Sequence, residues 1–107
     1  MEPTPREIVE YEDENNNTPF GRWISGLRDG KGRAIIRNWI NRLAAGNFGD
    51  CGPVGDGVHE LVIDFGPGYR VYFGEDQNVV VLLGGGDKSS QSVDIKRCKR
   101  RWDDYNA

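Results

Sequence analysis

From Glu60 to Phe65 the apolar and polar positions separate by parity. Leu61, Ile63 and Phe65 fall on one side, and Glu60, Val62 and Asp64 on the other. A period of two is that of a strand with one buried face. Gly66-Pro67-Gly68 then reads as a chain reversal, because glycine tolerates positive φ and proline fixes its own. Beyond it Tyr69, Val71 and Phe73 share one face, with Arg70 and Tyr72 on the other. Glu75 to Asn78 is a second polar turn. Val79 to Leu83 is apolar at both parities, the pattern of a strand covered on both sides. Gly84-Gly85-Gly86 is expected to end that strand, leaving Lys88 at its mouth. These three strands predict an antiparallel sheet with one packed face and with Glu60, Arg70 and Tyr72 on the opposite face.

Upstream the period changes. Phe20, Trp23, Ile24 and Leu27 recur at i, i+3, i+4 and i+7, an amphipathic helix. Thr18 or Asn17 can cap it, Pro19 suits its first turn, and Asp29-Gly30 stops it. A second helix is predicted from about Lys31 to Ala45, with Ile35, Ile36, Trp39, Ile40 and Leu43 as its apolar stripe and Gly46-Asn47 as its end. So short a connection predicts an antiparallel helical hairpin. Glu7 to Tyr11 is a candidate first strand with Val9 and Tyr11 on one side, and Glu12 to Asn17 a polar loop. Gly49 to Gly57 reads as a glycine-rich loop. At the far end Ile95, Cys98, Trp102 and Tyr105 form the stripe of a last helix, which Ser89 or Ser90 can cap. The fold class is therefore α+β: a helical hairpin on a small, mostly antiparallel sheet of three or four strands, with a C-terminal helix, in one domain over residues 1–107.

Charge refines this picture. The net charge of −3 is unevenly spread. Residues 1–16 carry six acids against Arg6, residues 17–42 six bases against Asp29, and residues 43–95 eight acids against Arg70 and Lys88. Residues 96–101 read KRCKRR. Arg33, Arg37 and Asn41 lie at i, i+4 and i+8 on the polar side of the second helix. Such stripes are usually solvated helix faces; on an acidic body they can also meet a polyanion or an acidic protein segment. No apolar run has the length of a membrane span and the opening residues lack the form of a signal peptide. Cys51 and Cys98 stand alone, with no metal-ligand spacing around the single His59, so no metal or cofactor is expected and a reduced cytoplasmic setting is the default. Neither GDCGPVGDG nor GGGDKS matches a phosphate-loop or dinucleotide fingerprint.

The runs GNFGD (46–50), GVHELVIDFGPGYRVYF (57–73) and VVLLGGGDKSSQ (80–91), with Asp94-Ile95, resemble the phage-derived, HigB-like "addiction module killer" branch of the RelE/ParE toxin superfamily. The resemblance spans nearly the whole chain in order. It implies the toxin of a type II toxin–antitoxin pair, held inactive by a helix-turn-helix antitoxin and reaching operator DNA only through it. RelE-like members cut mRNA on the ribosome without a metal; ParE-like members poison DNA gyrase. The arginine-bearing GPGYRVYF strand resembles the RNA-cutting branch. One departure stands out, since the family usually reads ELRI where this chain has Glu60-Leu61-Val62-Ile63. That departure, with the net acidity, leaves open a degenerate toxin acting as a non-catalytic co-repressor.

Metal-free cleavage needs a base for the attacking 2′-hydroxyl, a cation for the phosphorane and an acid for the leaving oxygen. Arg70 suits the phosphate because guanidinium binds its oxygens bidentately; the competing reading is a cross-strand ion pair with Glu60. Lys88 is the second candidate cation, against a turn lysine paired with Asp87. Glu60 is the candidate base. Tyr72, Arg33 and Arg37 are candidates for substrate contact. Tyr69 and His59 share the core-facing parity and are expected to be structural, as is the Trp23, Trp39 and Trp102 set. Gln91 and Asp94 are expected to support the start of the last helix.

Overall fold

A computed structural model describes residues 4–107. The chain runs β1 (Glu7–Glu10), α1 (Pro19–Gly26), α2 (Gly30–Ala44), β2 (Cys51–Gly55), β3 (Val58–Ile63), β4 (Tyr69–Asp76), β5 (Val79–Asp87), a 3-10 turn (Lys88–Ser90) and α3 (Gln91–Tyr105). The strands form a five-stranded sheet in the order β1-β5-β4-β3-β2. β1 runs parallel to β5 and every other pairing is antiparallel. The fold is α+β, with one strand more than the sequence suggests.

The additional strand is β2, within what reads as a loop. Its glycines and Pro53 argue against a strand, but β2 is an edge, where proline removes no ladder bond. Pairing with β3 holds it, and a bulge between Pro53 and Gly55 absorbs the irregularity. The hairpin turns through Gly55, Asp56 and Gly57, at φ 103, 56 and 82.

Both faces of the sheet are covered. On one, Phe20 and Ile24 of α1 and Ile36, Ile40 and Leu43 of α2 pack on Leu61, Ile63, Tyr69, Val71, Phe73, Val80 and Leu82. Asp29 caps α2, accepting from the Gly32 amide at 2.9 Å, and also accepts from the Tyr69 hydroxyl at 2.8 Å. It begins the second helix rather than merely stopping the first. On the other face Cys98 and Trp102 of α3 pack on Tyr11, Val58, Tyr72, Val81 and Leu83.

That second layer corrects the expectation of an open face. Trp102 fits because Gly74 offers no side chain: a Cβ there would lie 2.5 Å from the indole. A bulge between Tyr72 and Phe73 gives β5 an extra residue. Leu83 and Gly84 then both face α3, where Cys98 and Arg101 approach Gly84. The glycine run does not end the strand, which continues to Asp87. Gly85 instead accommodates Trp23 from one layer, and Gly86 accommodates Asp94 from the other. Asp87 caps the 3-10 turn, accepting from the Ser89 amide at 2.8 Å and its hydroxyl at 2.5 Å; Ser90 stands at the N-cap of α3 but its side chain makes no capping bond.

Candidate functional site

Three of the candidate residues converge beneath the first turn of α3. Val62 stands opposite Arg70 and Glu60 opposite Tyr72 in the β3–β4 ladder, so Glu60 and Arg70 are diagonal neighbours on one face. Arg70 Nε lies 3.7 Å from Glu60 Oε2, with 12% and 13% of the two side chains exposed. At that distance the pair is an ion pair without a hydrogen bond. The arginine's Nη1 donates to the Gly68 carbonyl at 2.6 Å. Its Nε is buried with no hydrogen-bond partner among the described residues. Glu60 receives instead the amide of Gln91, whose Nε2 donates to Glu60 Oε2 at 2.6 Å. The cross-strand pairing weighed from the sequence is thus present, and Gln91 takes its strongest hydrogen bond.

Tyr72 does not face a substrate. Its side chain is fully buried in the α3 layer and its hydroxyl has no hydrogen-bond partner among the described residues. Burial pushes the phenol well above its ordinary pKa, the Glu60 and Asp94 carboxylates push it further, and Arg70 opposes them. It is a packed neighbour of the Glu60–Arg70 pair. Stacking on a nucleobase is closed to it because α3 occupies the face that the alternation left open.

The remaining candidates lie elsewhere. Lys88 is exposed in the 3-10 turn and makes no ion pair with Asp87. It adjoins the Gly66–Gly68 reversal, where a Cβ on Gly68 would meet both the Arg70 guanidinium and the Lys88 side chain. Lys88 and Arg70 therefore flank one turn. Arg33 and Arg37 belong to the helix layer on the opposite side of the sheet. Arg33 is half-buried and donates to the Leu27 carbonyl, tying the α1–α2 connection. Arg37 is exposed beside a depression of about 520 Å³ bordered by Glu10, Glu12 and Asn41. His59 stacks on Phe73 with ring centroids 5.5 Å apart, and Tyr69 is buried between Asp29 and Trp23, both structural as their parity indicates.

A feature that the sequence did not single out lies next to this centre. A cleft of about 420 Å³ opens between α1, α3 and the end of β5. Gly84, Gly85 and Gly86 floor it, Trp23 forms one wall, and Arg22, Arg97 and Arg101 border it. Gly86 is the ladder partner of Arg70 on the neighbouring strand. Its arginines belong to two stripes distant in the chain, each of which reads as a solvated helix face. Only the three consecutive glycines hinted at close approach there. Among the described residues no cluster of three or more histidine, cysteine or acidic side chains could hold a metal ion, and no helix is long and apolar enough to cross a membrane.

No family model matches the chain, and no solved structure matches it. It is 51% identical over 81 residues to an uncharacterized protein of Haemophilus influenzae, an alignment covering 75% of this chain and 82% of that protein. The chain belongs to the same family as this Haemophilus protein.

Proposed function

We propose that this protein is the toxin of a type II toxin–antitoxin pair with the RelE/ParE arrangement of helical hairpin, sheet and C-terminal helix, and that it cuts mRNA on the ribosome without a metal. The observation that carries the reading is Arg70. Its guanidinium is anchored through one N–H to Gly68, carries an unpartnered Nε, and is flanked by a carboxylate and by the Lys88 turn. A cation fixed in position is what phosphorane stabilisation requires, and Arg70 is held so by Gly68 and Glu60. Glu60 is the base in this reading and Lys88 the second cation. The ribosome supplies most of the RNA positioning, which accommodates a net charge of −3. The helix-turn-helix antitoxin, the cytoplasmic setting and contact with operator DNA through the antitoxin belong to the same proposal.

A second reading has its own observation. Val62 stands opposite Arg70, where the resembled family usually carries an arginine, and the Glu60–Arg70 pair is largely enclosed beneath α3. Both features favour a toxin of reduced activity that works with its antitoxin as a co-repressor. Primer extension on translating ribosomes, run beside a gyrase supercoiling assay, separates the possibilities. Removing one such cation costs roughly a hundred- to thousandfold in rate. Ribosome-dependent cleavage that is lost in Arg70→Ala supports the nuclease. Inhibited supercoiling with intact message assigns a gyrase poison, and silence in both assays leaves the co-repressor.

A further inference from the structure

We infer that the cleft between α1, α3 and Gly84–Gly86 is a nucleotide-binding subsite, taking a phosphate on Arg22 and Arg97 and a nucleobase against Trp23. Most polar groups around the cleft are already engaged. Asp13 accepts from the amides of Asn15 and Asn17, each at 2.9 Å. Asp87 is occupied by Ser89, and Asp94 accepts from the Ser90 hydroxyl at 2.5 Å. These local donors, with the charge of Arg22 adding at Asp13 and that of Arg70 at Asp87, hold the two carboxyls below the usual range, so both stay ionised. Arg101 donates to the Leu83 carbonyl at 2.9 Å. Arg22 and Arg97, by contrast, are exposed and have neither an ion pair nor a side-chain hydrogen bond among the described residues. The cleft therefore sets three carboxylates, each held by local donors, against three guanidinium groups, of which Arg22 and Arg97 keep N–H donors free for the bidentate contact that a phosphate makes.

The apolar wall narrows the class of anion. Trp23 settles against Gly85 because that residue has no Cβ, and the same absence at Gly86 lets Asp94 approach the strand. The result is an indole beside free guanidinium groups in a space of about 420 Å³. That lies within the roughly 300–1,000 Å³ typical of small-ligand sites. An acidic peptide would use the cations and leave the indole idle; a nucleotide uses both. Adjacent strands lie about 4.8 Å apart, and Gly86 pairs with Arg70, so the cleft begins beside the candidate cleavage centre. As a place for the nucleotide flanking the cut, it rests on the RNA-cleaving reading; as a nucleotide site it can be tested without it.

The test is a titration of the isotope-labelled full chain, followed by NMR, with uridine and adenosine 5′-monophosphates, inorganic phosphate and a short glutamate peptide. Saturable shifts of the Trp23 indole N–H and the Gly84–Gly86 amides are expected with the nucleotides. Inorganic phosphate should reach the same amides only at higher concentration. The double variant Arg22→Ala/Arg97→Ala alters exposed side chains, so it should keep the folded spectrum and bind nucleotide at least about tenfold more weakly, a loss of about 1.4 kcal/mol. The inference fails if millimolar nucleotide leaves those signals unmoved, if the double variant binds equally well, or if only the glutamate peptide binds there. Nucleotide binding by a protein that leaves ribosomal message intact supports the subsite while removing the nuclease; cleavage without these shifts removes the subsite alone.

Discussion

Gln91, the first residue of α3, donates its side-chain amide to the carboxylate of Glu60 at 2.6 Å. The last helix is thereby fastened to β3 where a carboxylate and a guanidinium share a nearly enclosed space. Gln91→Leu keeps the bulk and removes the donor. The expected cost is about 1–3 kcal/mol, because an enclosed carboxylate loses its best hydrogen bond. Urea unfolding measures this, and an unchanged midpoint would show that Glu60 finds another partner at no expense.

Gly74 and Trp102 form a second contact between sheet and helix. A methyl at Gly74 would lie 2.5 Å from the indole, and neither the strand backbone nor the buried ring has room to retreat. Gly74→Ala should destabilise by about 1–3 kcal/mol through overpacking. In a Trp102→Leu background most of that penalty should disappear. A double-mutant cycle with additive effects would refute the contact.

Tyr11 sits at the edge of the same layer and donates its hydroxyl to Asp104 at 2.6 Å. That bond, then burial, raises the phenol from 10.0 to about 12. Because the folded value lies above the unfolded one, the stabilisation is complete below pH 10.0 and is lost as pH climbs towards about 12. Tyr11→Phe should therefore be less stable than wild type at neutral pH, and the gap should close above pH 10. Denaturant midpoints for both proteins across that range test it; a gap that stays constant would exclude the tyrosine proton as its source.

Val62 stands opposite Arg70, half-buried on the same face. Under the nuclease reading Val62→Arg places a second guanidinium next to the first and should strengthen growth arrest and ribosome-dependent cleavage by about a hundredfold, the lower end for one transition-state cation. If cleavage is unaltered while the variant remains folded, position 62 does not limit activity.

Much of this arrangement is written in local periodicity. The alternations through Leu61-Ile63-Phe65 and Tyr69-Val71-Phe73, the 3.6-residue stripes of α1 and α2, and the pairing of Val9 with Tyr11 all appear where expected. β2 was hidden because glycine and proline dominate it and its stability comes from a neighbour. The covered face was hidden because Glu60, Val62, Arg70 and Tyr72 resemble a solvent-facing row. What admits α3 is the absence of side chains at Gly74 and Gly84 together with a one-residue bulge, and periodicity records neither. The candidate centre was legible in part: Glu60 and Arg70 do meet. Arg33 and Arg37 lie behind the sheet, a separation set by topology. Arg22 and Arg97 come together only because two helices flank the same strand end.

The parallel seam between β1 and β5 has a consequence for how the molecule is made. Glu7 pairs with Val79 and Glu10 with Leu82, so the opening strand has no place in the sheet until the ribosome has passed residue 82. Tyr11 must also await Cys98 and Trp102 before its layer closes. A polypeptide abandoned midway holds its early segment unpaired and an apolar sheet face uncovered, a species for chaperones and proteases to remove. Arg70 therefore acquires its full surroundings only once the residues of α3 have been made.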